Sequence, residues 1–160
     1  VLPPRIVVGH GSIAKVVPLA AFIPIVLGMG GNVGIQSATI ITRGIALGRV
    51  DTTRLGRVLF KELVVATICG VTYGVLLGVL AWGRYAGTDV VSSGLILWAT
   101  VGISVAVAMI IAATVGAAIP IIFSRIHVDP ALAAGPFITT TVDVLGIAAY
   151  FGIASALLGI

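Results

Sequence analysis

The sequence contains very little charge and almost no cysteine. Only 9% of its 160 residues are Asp, Glu, Lys or Arg, and only five residues are acidic. Because soluble domains carry about 25% charged residues, this chain cannot cover a water-facing surface. Its single cysteine, Cys69, excludes an internal disulfide and has no metal-ligating partner nearby. The net charge of +4 comes from too few residues to indicate nucleic-acid binding.

Apolar residues make up most of the chain instead. They account for 59% of the sequence, and the mean hydropathy is +1.26. Since about 20 apolar residues can cross a bilayer, the sequence predicts four spans, at residues 16–42, 58–82, 90–123 and 130–160. None shows the alternation of a barrel strand. We therefore predict an all-α, polytopic transmembrane helix bundle, in which residues 1–15 precede a single membrane domain at 16–160.

The positions of the positive charges indicate how the chain is oriented in the membrane. Six of the nine Lys and Arg residues lie in the joints after the first span and before the fourth, and three lie on the other side. The six-charge side is therefore predicted to be cytoplasmic. Arg54, Arg57 and Lys61 share one helical face, which we expect to lie along anionic lipid head groups. Nearby Glu62 has two interpretations: a locally paired interfacial carboxylate, or a residue that guides cations toward a pore.

Asp143 is the only charged residue in the last span. A carboxylate within a membrane costs several kcal/mol unless it is compensated, and such residues usually mark an ion or substrate route. The alternative is a buried acid that stays protonated and hydrogen-bonded. We expect the helix to begin at Asp129–Pro130 and to be loosened by Pro136. Its polar stripe would then comprise Pro136, Thr139 or Thr140, Asp143 and Tyr150, with back-bonding to helix carbonyls as the alternative role for the threonines.

A second polar region lies in the first span. Four glycines within residues 28–34 follow Pro24, and this pattern predicts a backbone that unwinds or is closely approached. The polar residues beyond them fall on one helical face: Asn32, Gln36, Thr39 and Arg43. They favour a permeation path, whereas the glycines alone would indicate close helix packing.

Two motifs carry a family resemblance. Residues 22–39 include Gly-Met-Gly-Gly-Asn-Val-Gly-Ile-Gln-Ser-Ala-Thr, and residues 129–146 include Gly-Pro-Phe-Ile-Thr-Thr-Thr-Val-Asp-Val-Leu-Gly. Both resemble motifs of the MgtE-type magnesium transporters, and they occur in the same order along the chain as in that family. The resemblance implies a transporter and not an enzyme, located in the inner (plasma) membrane. It also implies a homodimer with a pore between subunits, a five-helix membrane domain of which four spans are evident here, and cytoplasmic sensor domains in the full-length protein.

The resemblance also assigns roles to residues. Asp143 matches the acid that serves the family's ion site, where Mg²⁺ or another divalent cation is the transported ion. The residues expected to line the pore are Gly30, Gly31, Asn32, Gln36, Pro136, Thr139 and Thr140. Because Mg²⁺ gives up its waters reluctantly, we expect a wide polar cage with few direct ligands. Two alternatives stay open: a secondary transporter that uses Asp143 as a proton or Na⁺ relay, and a structural membrane anchor.

Overall fold

The protein is built from four long helices. The computed structural model describes residues 10–50, 55–85, 94–133 and 135–159, in which the α-helices are α1 (His10–Ala46), α2 (Leu55–Tyr85), α3 (Gly94–Arg125) and α4 (Pro136–Leu158). Each contains a window long and apolar enough to cross a membrane, and these residues form no strand. A helix pairs its own backbone N–H and C=O groups, whereas lipid tails offer these groups no hydrogen-bond partners. The all-α membrane prediction is therefore confirmed.

Helix α3 lies at the centre of the bundle. Half of its membrane-spanning window is buried inside the protein, against 28–33% for the other three helices. It packs against α1, α2 and α4, and α1 also packs against α4, whereas α1 and α2 barely touch. The faces of α1, α2 and α4 that point away from α3 remain exposed, as apolar helices in lipid require.

Small residues set the distances between these helices. A Cβ atom added to Gly116 of α3 would collide with the carbonyl oxygen of Gly34 on α1. On the other side of α3, a Cβ added to Gly74 of α2 would lie 2.5 Å from the carbonyl oxygen of Gly102. Helices in membranes associate through such close backbone contacts, because lipid tails provide no hydrophobic drive for association.

Helix α1 continues without interruption through its glycines. The expectation that residues 28–34 unwind is therefore wrong, while the alternative of close approach holds. A Cβ on Gly34 would lie 2.9 Å from a methyl group of Val142 and 3.3 Å from one of Ile138, both on α4. The glycines thus admit side chains of a neighbouring helix, and the helical backbone keeps its hydrogen bonds at membrane depth.

The start of α4 also differs from the sequence-based expectation. Asp129 caps a short 3₁₀ turn, Pro130–Ala133, by accepting a 2.8 Å hydrogen bond from the backbone N–H of Ala131. The predicted start at Asp129–Pro130 is therefore correct for this short turn but wrong for the membrane helix. The α-helix begins only at Pro136, after Gly135 with φ 74°, so the predicted loosening by Pro136 is also wrong. Gly135 with its positive φ cannot continue a right-handed helix, whereas proline suits the first position of one.

Tyr150 belongs to the core and not to the polar stripe. Its side chain is fully buried, and its hydroxyl donates a 2.9 Å hydrogen bond to the carbonyl oxygen of Leu19 on α1. The apolar ring packs in a cluster with Leu19 and Met109. The bond satisfies a buried hydroxyl and joins α4 to α1.

We predict that Gly116→Ala lowers the thermal unfolding midpoint of the detergent-solubilised protein. The added methyl would press on the Gly34 carbonyl, and overpacking of this kind costs about 1–3 kcal/mol. Gly152→Ala is the matched control, because a Cβ at that position of α4 has no neighbour within 4 Å. Equal midpoints for the two variants would contradict the close α1–α3 contact.

Candidate functional site

An open cavity of about 270 Å³ lies between α1 and α4. Five lining residues come from α1 and fall on three successive turns, at positions 27 and 28, 31 and 32, and 35, so they share one helical face. The other two lie one turn apart on α4. The lining residues are Leu27, Gly28, Gly31, Asn32, Ile35, Thr139 and Asp143. The two polar regions singled out in the sequence therefore meet in space.

Asp143 and Gly31 face each other at this cavity. Asp143 is half-buried, and its Oδ1 atom lies 3.9 Å from the position that a Cβ on Gly31 would occupy. Asp143 lies seven residues after Pro136, which places it about 10 Å along α4. Because Gly31 has no side chain, the space in front of the carboxylate stays open.

The threonines of α4 use their hydroxyl protons within the helix. Thr139 donates to the Pro136 carbonyl at 3.0 Å, and Thr141 donates to the Phe137 carbonyl at 2.8 Å. The back-bonding interpretation is therefore correct for Thr139, whose oxygen can still accept a bond from water at the cavity. Thr140 and Pro136 are exposed and are not among the residues lining this cavity.

Other residues of α1 that were expected at the pore or on the polar face lie away from the Asp143 cavity. Gly30 is buried, and a Cβ on it would lie 3.4 Å from Val142. Gln36 lines a different cavity of about 70 Å³, next to Ser37 and Glu62. The hydroxyl of Thr39 donates to the carbonyl of Ile35 at 2.8 Å. Of the expected pore residues on α1, only Gly31 and Asn32 therefore lie beside Asp143.

Glu62 has a local partner. The hydroxyl of Ser37 on α1 donates a 2.7 Å hydrogen bond to Oε2 of Glu62 on α2. Ser37 is buried and Glu62 is half-buried, so the bond joins the two helices where they otherwise barely touch. This contact agrees with the interpretation of Glu62 as a locally paired carboxylate.

Sequence reasoning missed Leu27, Gly28 and Ile35 as lining residues. Leu27 and Ile35 lie four positions before and after Gly31, and Gly28 lies three positions before it. Residues at these spacings share a helix face. Extending the face of Gly31 by one turn in each direction would have identified them.

The side-chain oxygen atoms at the cavity that could bind a cation are few and mostly neutral. Asp143 provides the only carboxylate among the lining residues, and Asn32 and Thr139 provide an amide and a hydroxyl. Among the described residues, no group of three His, Cys, Asp or Glu side chains forms a closed metal site. One carboxylate beside neutral oxygens suits a hard cation that keeps several of its waters, as Mg²⁺ does.

Known proteins with related sequences are transporters. Residues 23–153 match the family model MgtE, described as a divalent cation transporter. The magnesium transporter MgtE of Bacillus subtilis (strain 168) is 36% identical over 148 residues, which cover 91% of this chain and 31% of the relative. The protein of that name from Thermus thermophilus is 36% identical over 152 residues, or 94% of this chain and 32% of its own length.

A third relative, from Enterococcus faecalis, is 31% identical over 137 residues, which cover 86% of this chain and 29% of the relative. This chain thus spans about a third of the length of the curated relatives it matches. The family-model match covers α2 and α3 completely and most of α1 and α4. The family consists of transporters and not of enzymes, in agreement with the sequence-based prediction. The chain belongs to the MgtE family of divalent cation transporters.

Proposed function

We propose that this chain conducts Mg²⁺ across the inner (plasma) membrane, with Asp143 as the residue that binds the ion. The observation that carries the proposal is the position of the Asp143 carboxylate, which lies beside Gly31 at a cavity between two membrane helices. A carboxylate at this depth is compensated by a passing cation. The magnesium transporters among the relatives support Mg²⁺ as that cation.

The proposed ion passes the site with most of its water. Six waters at about 30 Å³ each need roughly 180 Å³, and the cavity offers about 270 Å³. Asp143 would then attract the ion, while Asn32 and Thr139 contact its hydration shell. We include Gly30, Gln36, Pro136 and Thr140 in the wider path only as the family resemblance assigns them.

The neutral variant Asp143→Asn tests the role of the charge. We expect near-complete loss of Mg²⁺ uptake by proteoliposomes, because the variant keeps the shape of the side chain and removes the attraction for the cation. Asp129→Asn is the matched control and should transport normally, since asparagine also caps helical turns and Asp129 lies outside the cavity.

Uptake is measured with and without a pH gradient. Uptake by the unaltered chain that requires the pH gradient would indicate a proton-coupled transporter, and no uptake would indicate an anchor. Normal uptake by Asp143→Asn would contradict the proposed role of the carboxylate.

Two further variants test whether the ion passes hydrated. Gly31→Ala and Asp143→Glu each remove space from the same cavity, the latter by about 1.5 Å for one added bond. A Cβ on Gly31 makes only an ordinary 3.9 Å contact, so we expect the protein to fold and yet to transport Mg²⁺ poorly. Asp143→Glu should also be severely impaired, although its charge is kept.

Gly146→Ala is the control for these variants, because a Cβ at that position has no neighbour within 4 Å and does not line the cavity. Flux is measured in proteoliposomes, and folding is checked by the thermal unfolding midpoint. Near-normal flux in both test variants would argue for simple charge attraction without a fitted cage.

We also propose that the full-length protein carries cytoplasmic sensor domains, as the family resemblance implies.

Two copies of the chain complete the pathway as a homodimer in this proposal. The cavity is open, and a two-fold axis beside it would bring two Asp143 carboxylates together. On a Cys69→Ala background, a cysteine replacing Ile35 at the cavity should cross-link between copies in membranes. A cysteine replacing the exposed Val64 of α2 should not. Transport by a verified monomer would contradict the dimer.

A further inference from the structure

A second and larger cavity lies at the joint between α1 and α2. Its volume is about 400 Å³, and it has a basic part and an apolar part. The basic part consists of Arg49, Arg57 and Lys61, with Glu62 as the only carboxylate among the lining residues. The apolar part consists of Ile40, Ile41, Val50 and Val58.

The end of α1 fixes the position of Arg49. The helix stops at Ala46, and Gly48 adopts a left-handed conformation with φ 64°. The backbone N–H groups of Arg49 and Val50 then donate to the carbonyl of Gly44, at 2.9 Å and 3.1 Å. The side chain of Val50 occupies the space where Gly44 has no Cβ. This folded turn holds Arg49 at the cavity shared with α2.

Arg57 and Lys61 reach the same cavity from α2. They lie four residues apart, so they project from one face of the helix. Like charges at this spacing repel each other, and Arg49 adds a third positive charge. The opposing carboxylate of Glu62 already accepts the hydrogen bond from Ser37. The described residues that line the cavity therefore carry a net positive charge, which an anionic ligand would balance.

The location of the cavity selects the kind of anion. The membrane-spanning stretch of α1 ends at Ala46 and that of α2 begins at Gly56, so the cavity lies at the level of the lipid head groups. Ile40 on its membrane side is 59% exposed and can contact an acyl chain. We propose that this cavity binds the phosphate of one anionic phospholipid, with the lipid tail along the apolar wall.

This site differs from the head-group contact expected from sequence. The helical face defined there comprised Arg54, Arg57 and Lys61, and Arg54 lies outside the described residues. The cavity instead combines Arg57 and Lys61 with Arg49 from the end of α1, and it adds an apolar wall. A phosphate diester with attached hydrocarbon matches both parts, whereas a free anion matches only the basic one.

Native mass spectrometry of the 160-residue chain in mild detergent tests the proposal. The protein is titrated with phosphatidylglycerol or with phosphatidylcholine of the same acyl chains. We expect one phosphatidylglycerol to be retained in preference to phosphatidylcholine. Arg57→Gln or Lys61→Gln should each weaken its binding about fivefold, the change expected for one basic contact to a membrane anion.

Three controls make the result specific. Lys61→Arg keeps the charge and should keep the binding. Arg43→Gln removes a nearby charge that does not line the cavity and should leave binding unchanged. Asp143→Asn should also bind the lipid normally, so a failure of the transport proposal does not affect this one. Thermal unfolding midpoints identify any variant that is misfolded.

The lipid proposal is overturned if phosphatidylcholine binds equally well, or if Arg43→Gln weakens binding as much as Arg57→Gln does. It is also overturned if millimolar inorganic phosphate displaces phosphatidylglycerol, because the cavity would then be a site for free anions.

Discussion

The close approach of α1 to α3 and α4 is the constraint on which the rest of the structure depends. Gly34 contacts Gly116 of α3 through its backbone carbonyl, and its missing side chain leaves room for Val142 and Ile138 of α4. Val142 precedes Asp143 in the chain. The packing of Val142 against α1 therefore also places the Asp143 carboxylate beside Gly31. Larger residues at these positions would separate the helices and move the carboxylate away from the cavity.

Charged residues line two separate cavities in the part of the chain that the structure describes. One carboxylate lies within the last membrane helix, where it faces a cavity bordered by neutral oxygens. Three basic residues surround a separate cavity at the end of α1 and the start of α2. These two sites attract opposite charges, and they lie in different environments. The first suits a hydrated cation within the membrane, and the second suits an anionic group at its surface.

Much of the fold follows from sequence, because twenty-residue apolar segments have few alternatives to a helix in lipid. The family resemblance also predicted that the glycine motif and Asp143 belong to the same pore. Local propensity was misleading at two places. Packing and the membrane environment keep α1 helical through residues 28–34, and the positive φ of Gly135 delays the start of α4 to Pro136.

Other features could not be derived from one sequence. Tyr150 shares a periodic face with Asp143, but only the packing of α4 shows that its hydroxyl bonds to the Leu19 carbonyl inside the core. The bond between Ser37 and Glu62 joins residues on different helices, and no local pattern encodes it. The basic cavity depends likewise on the turn after Gly48, which brings Arg49 to the face of α2 that carries Arg57 and Lys61.

Electron paramagnetic resonance of bound Mn²⁺ tests the central claim most directly, since Mn²⁺ shares with Mg²⁺ a preference for six oxygen ligands. We expect the unaltered protein to bind Mn²⁺ with several exchangeable waters still attached, and excess Mg²⁺ to displace the Mn²⁺. Asp143→Asn should lose this signal, while Asp129→Asn should keep it. An equal signal in Asp143→Asn, or a bound ion without water ligands, would contradict the claim that Asp143 binds a hydrated cation.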